Sequence, residues 1–207
     1  MNQDHATVFI VDDDAAVLKA LERLLRSAGW ATAAYASPDD FLSERDPAAS
    51  GCLLLDISMP GLDGLELQKR LAEAGSGLPI IFLTGHGDVS TSVKAMRGGA
   101  MNFLSKPVQD EELLASVAEA VNADRLAAQD RAEIAAARQR LTTLTVRERQ
   151  VLERVVAGRL NKQIADELGT VEKTIKVHRA RVMQKMEARS LVGLARLIER
   201  TGLLAGI

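Results

Sequence analysis

The stretch Gly51-Cys52-Leu53-Leu54-Leu55-Asp56-Ile57-Ser58-Met59-Pro60-Gly61 decides how the chain is read. Its apolar run is short, continuous and bounded by glycine and proline, the pattern of a strand buried on both faces of a parallel sheet. Asp56 closes that strand, and open α/β sheets build their sites at the carboxyl ends of strands. A strand-closing Asp is more often a turn former or the cap of the next helix. What else converges on it decides between these.

Working outward, residues 7–121 alternate between strand-like and helix-like segments. Thr7–Val11 reads as a first strand, ending in Asp12-Asp13-Asp14, and Ala15–Ala28 as a helix with Val17, Leu18, Leu21, Leu24 and Leu25 on one face, stopped by Gly29. Ala31–Tyr35 is a weaker second strand, and Ser37-Pro38-Asp39-Asp40 opens a helix with a serine cap, a proline at the first position and acids in the first turn. The Cys52 strand is third. A helix over Gly64–Ala74 precedes a fourth strand, Ile80–Leu83, that ends in Thr84; Val89–Arg97 is helical up to Gly98-Gly99; Asn102–Ser105 is a fifth strand, ending in Lys106-Pro107; and a helix starts near Asp110. Five rounds of strand then helix predict a parallel sheet covered on both faces.

From Asn122 the composition turns to Ala, Arg, Asp, Glu and Gln without Gly or Pro, which predicts a helical linker over 122–141. Asp124 and Arg131 interrupt the seam that Leu113, Val117 and Val121 begin, so no coiled coil is expected. Residues 142–207 carry no strand pattern. Thr145-Val146-Arg147-Glu148 has the form of a capping box and opens a helix to Gly158; further helices are expected over Asn161–Leu168, Val171–Met186 and Ser190–Thr201.

The net charge of -2 conceals a division: residues 1–121 hold 18 acidic and 9 basic side chains, residues 122–207 hold 10 and 17. An acidic module joined to a basic one suggests a polyanion partner for the second. No apolar run approaches the ~20 residues of a membrane helix, and the amino terminus has no export-signal pattern, so a cytoplasmic protein without a membrane partner is expected. The single cysteine, Cys52, reads as a small core residue.

In a parallel sheet all strands end on one edge, which puts Asp12, Asp13, Asp56, Thr84 and Lys106 along one rim. Three carboxylates in one crevice repel and are usually held by a divalent cation; an all-oxygen ligand set suits Mg²⁺. A hydroxyl and an ammonium beside them suit a phosphoryl group. The chemistry expected is a carboxylate nucleophile that accepts phosphoryl, its charge neutralised by metal and Lys106. Two readings compete. One is a DNA-binding regulator whose first module only dimerises, against which the intact set Asp12, Asp13, Asp56, Thr84 and Lys106 argues. The other is a phosphohydrolase with Asp12 as nucleophile and Asp14 as acid, whose enzyme class wants Thr or Val where Ala16 stands.

Val11-Asp12-Asp13-Asp14, Leu55-Asp56-Ile57-Ser58-Met59-Pro60-Gly61-Leu62-Asp63-Gly64, Thr84-Gly85-His86-Gly87 and Lys106-Pro107 occur in order and spacing, and in them the chain resembles the receiver domains of two-component response regulators. Over its full length it resembles their NarL/FixJ subfamily. The resemblance implies a flavodoxin-like, doubly wound five-stranded sheet of order 2-1-3-4-5 in a receiver over 1–121, the helical linker, and an all-α, four-helix LuxR-type helix-turn-helix domain over 142–207. It implies that Asp56 takes phosphoryl from a sensor histidine kinase. Mg²⁺ is then bound by Asp13, Asp56 and the Ser58 carbonyl, with Asp12 acting through water. Lys106 and Thr84 hold the phosphoryl oxygens, Phe103 is the switch aromatic (or plain core), and Ser58 and His86 tune the lifetime of the acyl phosphate. A homodimer formed on phosphorylation and contact with RNA polymerase belong to the same expectation.

In the basic half, Ile175, Val182 and Met186 mark the buried face of an amphipathic helix, opposite Lys173, Val177, Ala180 and Gln184. A basic outer face of small residues fits the major groove of double-stranded DNA, and the short helix and Gly169 before it give the helix-turn-helix order. Leu144–Leu152, Asn161–Ala165 and Thr174–Arg179 resemble the LuxR-type domain, which implies DNA contacts by Lys162, Lys173, Thr174, Lys176, Val177, Arg181 and Lys185. Two departures stand out. Val171 replaces the family's usual Ser or Thr, putting the helix cap at Thr170 or Val171, and Ala180 replaces a base-contacting Lys of some relatives. His178 is expected to pack toward the core. The last helix places Val192 and Leu197 outside its inner stripe of Leu191, Leu194, Ala195 and Ile198, which suggests a partner for that helix.

Overall fold

The computed structural model describes residues 6–85 and 89–202. The order is β1 (Thr7–Val11), α1 (Ala15–Ser27), β2 (Ala31–Tyr35), α2 (Pro38–Glu44), β3 (Gly51–Asp56), α3 (Gly64–Glu73), β4 (Ile80–Thr84), α4 (Val89–Arg97), β5 (Asn102–Ser105), α5 (Asp110–Thr142), α6 (Val146–Val156), α7 (Asn161–Glu167), α8 (Glu172–Lys185) and α9 (Leu191–Thr201). Contacts divide the chain into two units, Met1–Ala128 and Gln129–Ile207.

The first unit is a parallel sheet of order β2-β1-β3-β4-β5. Every residue of β3 is buried, because its side chains alternate between two cores. Leu53 and Leu55 pack with Phe9, Val11 and Phe82 against Phe41 of α2, Leu67 and Leu71 of α3 and Ala95 of α4. Cys52 and Leu54 pack with Val8, Ile10, Ile81 and Leu83 against Leu21 and Leu25 of α1 and Leu113, Val117 and Ala120 of α5. Each fully buried Leu contributes about 1.5–3 kcal/mol. A one-residue slip of β3 would exchange the two sets and move Asp56 off the sheet's end.

In the second unit, Val151, Val155, Ile164, Ala165 and Ile175 form one small core. Leu141, Leu144, Leu152, Val182, Met186, Leu194 and Ile198 form another. Ile175, Val182 and Met186 are buried as their spacing predicts. Gly169, at φ 62, turns α7 into α8 in the left-handed conformation that glycine tolerates.

One expectation left open is resolved and one needs correction here. Of the two candidates for the cap of α8 the structure takes Val171, which supplies no side-chain hydrogen bond. Leu197 is partly buried against the α9 core, leaving Val192, 63% exposed, as the apolar residue standing outside it. His86 lies outside the described residues.

Candidate functional site

The rim is built by strands that stop together. Val11 pairs with Leu55 and Asp56 with Leu83, so the residue after β1 and the last residue of β3 are neighbours. Asp12 and Asp56 are 1% and 5% exposed. Lys106 follows β5, its backbone N–H donating to the Thr84 carbonyl at 2.6 Å. Its ammonium is 2.5 Å from Asp12 Oδ2 and 2.5 Å from Asp56 Oδ1. Burial alone would lower the Lys106 pKa, but the hydrogen bonds it donates to both carboxylates outweigh it and the pKa is raised. The ammonium therefore stays charged at neutral pH.

The remaining carboxylate oxygens are also held. Asp56 Oδ2 accepts the Ser58 N–H at 2.7 Å, and Asp12 Oδ1 accepts the Asp14 N–H at 2.9 Å. Thr84 is buried at the end of β4. Phe103 is half-buried against the core beside β4, where it pairs with Phe82. Asp13 and Ser58 are exposed. Side-chain contacts join Asp12, Asp56 and Lys106, Thr84 adjoins Lys106 through its backbone carbonyl, and Asp13, next to Asp12, is exposed. Among the described residues no group of three or more His, Cys, Asp or Glu side chains could hold a metal as they stand.

Two neighbours of the site have structural duties. Asp14 caps α1, its Oδ1 accepting Ala16 N–H at 2.7 Å and Val17 N–H at 3.4 Å. That occupies the side chain the phosphohydrolase reading would use as an acid. Gly64 opens α3 so close to the site that a Cβ there would lie 2.3 Å from the Asp56 carbonyl oxygen. No larger residue fits without moving the backbone of Asp56.

In the second unit, Lys162, Lys173, Lys176, Val177, Ala180, Arg181 and Gln184 are exposed, and Thr174 is half-buried. Lys176 pairs with Glu172 at 3.1 Å along α8. Arg179 donates to Asn161 Oδ1 at 3.0 Å and ties α8 to the start of α7. His178 is half-buried with its Nδ1 sealed from solvent, on the core side as expected. Lys185 is placed differently from the rest. Its ammonium donates to Glu148 Oε2 at 2.7 Å and to the Thr143 carbonyl at 3.0 Å, completing the capping box in which Thr145 and Glu148 close the start of α6. The Lys185 hydrogen bond, then those of Thr145, hold the buried Glu148 carboxyl at about 2 against the pull of desolvation.

Comparison with known proteins decides the family. Residues 8–118 match the response regulator receiver domain, and residues 142–198 match the bacterial regulatory proteins of the luxR family. The chain belongs to the response regulators, in their NarL/FixJ branch. It is 44% identical over 200 residues to nodulation protein W of Bradyrhizobium diazoefficiens, covering 97% of this chain and 88% of that protein. It is 43% identical over 197 residues to the transcriptional regulatory protein FixJ of the same organism, covering 95% and 96%. The solved structure of the response regulator StyR superposes with a TM-score of 0.82 at 43% identity, covering 95% of this chain and 99% of that one. Response regulators of this branch regulate transcription and are not enzymes. In this response regulator no helix among the described residues is long and apolar enough to cross a membrane.

Sequence reasoning missed Asp124. It interrupts the α5 seam, yet it is buried and accepts hydrogen bonds from Ser50 Oγ at 2.5 Å and Gly51 N–H at 2.9 Å. The helical spacing from Leu113 through Val117 and Ala120 to Asp124 was the available signal.

Proposed function

We propose that Asp56 accepts a phosphoryl group from the phosphohistidine of a sensor histidine kinase. This phosphorylation switches dimerisation and sequence-specific binding of the second unit to double-stranded DNA, and so transcription. The observation that carries the reading is the Lys106 ammonium held between Asp12 and Asp56 at the strand ends. A carboxylate oxygen of Asp56 attacks phosphorus, the P–N bond breaks, and its electron pair leaves with the imidazole. The ammonium of Lys106 offsets charge on the phosphoryl oxygens, and the Thr84 hydroxyl donates to one of them.

The donor set fits Mg²⁺, since every candidate ligand is an oxygen and this metal takes only one or two carboxylates. Asp13, Asp56 and the Ser58 carbonyl would hold it, with Asp12 acting through water. Bound there, Mg²⁺ supplies positive charge that balances the carboxylates and the phosphoryl group. Ser58 and His86 tune how long the acyl phosphate lasts.

The output follows from the same charge. Thr84 turns toward the phosphoryl group, Phe103 turns inward into the space beside it, and the altered face pairs two copies of the chain. Lys162, Lys173, Thr174, Lys176, Val177 and Arg181 face DNA, the lysines and Arg181 toward phosphates and base edges and Val177 toward a thymine methyl. Lys185 leaves this set because Glu148 engages it. RNA polymerase is the further partner at a promoter, and the cytoplasm is where kinase, Mg²⁺ and DNA meet.

The test is selection from a random double-stranded DNA pool, with and without beryllium fluoride as an acyl-phosphate mimic. Treated wild-type protein should enrich a defined sequence and bind it at least about tenfold more tightly than untreated protein, a coupling of about 1.4 kcal/mol. Equal affinity in both states would mean a receiver that does not signal.

A further inference from the structure

Asp124 is a buried carboxylate in a stripe of α5 that otherwise presents Leu113, Val117 and Ala120 to the sheet. Its Oδ2 accepts both the Ser50 hydroxyl and the Gly51 N–H, at the amino-terminal end of β3. The opposite end of that strand is Asp56. The loop before β3 is closed tightly around this point. Thr7 N–H donates to the Ser50 carbonyl at 2.9 Å. A Cβ on Gly51, which sits at φ +148, would lie 1.8 Å from the Thr7 carbonyl oxygen. Arg45, stacked over the rings of Phe9 and Phe41 at 5.3 and 5.6 Å, lends the pocket a positive charge. Burial lowers its pKa, while the fields of Asp46 and Asp124 oppose that fall.

An apolar side chain at this position would bury more cheaply than a carboxylate. Hydrogen bonds are directional where apolar contacts are not, so two of them to one carboxylate oxygen add a constraint on the height and rotation of α5 that apolar packing alone does not set. Past Asp124 the side chains of Arg125 and Leu126 are exposed. The next fully buried α5 residue, Ala137, belongs to the second unit. Asp124 is thus a buried α5 side chain bonded to the start of β3 just before the helix's exposed stretch.

We propose that Asp124 is a positioning residue that anchors the base of the output helix to the strand carrying Asp56. A change at the phosphoryl site is then delivered along α5 from a fixed origin. This rests on the phosphorylation reading above and adds to it the element through which the signal leaves the receiver.

The test is amide hydrogen exchange on the full chain, with and without beryllium fluoride and Mg²⁺, in wild type, Asp124→Leu, Asp124→Asn and Ser50→Ala. In wild type the mimic should slow exchange over 57–63 and change it by about threefold or more over 125–140. Asp124→Leu, similar in size and apolar, should keep the first response and reduce the second below roughly 1.5-fold. Asp124→Asn, whose amide oxygen accepts the same two bonds, should restore it. Should Asp124→Leu fail to fold, Ser50→Ala, which keeps the Gly51 bond, should give an intermediate response. A full 125–140 response in Asp124→Leu, or in Ser50→Ala where that variant decides, would overturn the anchor. So would a wild-type response confined to 57–63. No wild-type response at 57–63 would instead overturn the phosphorylation reading, and the anchor's signalling role with it.

Discussion

The Lys106 ammonium lies 2.5 Å from Asp56 Oδ1, and the same nitrogen lies 2.5 Å from Asp12 Oδ2. One cation thus balances two carboxylates that are almost sealed from solvent. Taking that cation away leaves two like charges at the end of a buried sheet. Lys106→Met should lower stability by up to about 3 kcal/mol, less than for a fully sealed pair because 23% of the Lys106 side chain remains exposed. Millimolar Mg²⁺ should return part of that loss by replacing the missing charge. Urea unfolding with and without Mg²⁺ checks this, and a variant indifferent to Mg²⁺ would remove the metal from the site.

The Glu148–Lys185 pair sets a pH dependence on the second unit. The Glu148 carboxyl is lowered from an ordinary 4.5 to about 2 by the Lys185 bond and then by Thr145. A depressed folded pKa gives stability that is complete above the unfolded value and lost as pH falls. The contribution should therefore be constant above about 4.5 and disappear between there and about 2. Glu148→Gln should flatten that part of the acid unfolding curve, as followed by circular dichroism.

Two lysines of the same helix should separate cleanly. Lys173→Ala should reduce the slope of log affinity against log salt by about 1 on the selected DNA sequence. Its effect on stability should stay within about 0.5 kcal/mol. Lys185→Ala should do the reverse, lowering thermal stability while keeping the salt slope. Fluorescence anisotropy across a salt series, paired with thermal melts, measures both.

Cys52 should be inert in the native protein. Burial, then the nearby Asp124 charge, pushes its thiol up to about 12, so almost no thiolate forms at pH 8. A maleimide should leave it unmodified under conditions that label the urea-unfolded chain to completion. Native labelling at the unfolded rate would show β3 opening far more often than its burial allows.

The sequence made the first unit legible because its signals are local. An apolar run with Gly and Pro at its ends specifies β3, and parallel topology then carries Asp12, Thr84 and Lys106 to Asp56. What it concealed depends on partners far along the chain. Asp124 looked like a broken seam because its donors, Ser50 and Gly51, lie 74 and 73 residues away. Lys185 read as part of a basic DNA-facing surface because Glu148, its counter-charge, is 37 residues distant and buried by the fold. Periodicity assigns Leu197 to the outside of α9, and only the width of the core it borders brings it in.

The central claim is that Asp56 is the residue that carries the phosphoryl group. Mass spectrometry of the intact protein after incubation with acetyl phosphate and Mg²⁺ tests it directly, with borohydride reduction to locate the acyl phosphate. Wild type should gain one phosphoryl group, mapped to Asp56, and Asp56→Asn should gain none. A phosphoryl group mapped to Asp12 or Asp13 in wild type, or retained in Asp56→Asn, would contradict the account.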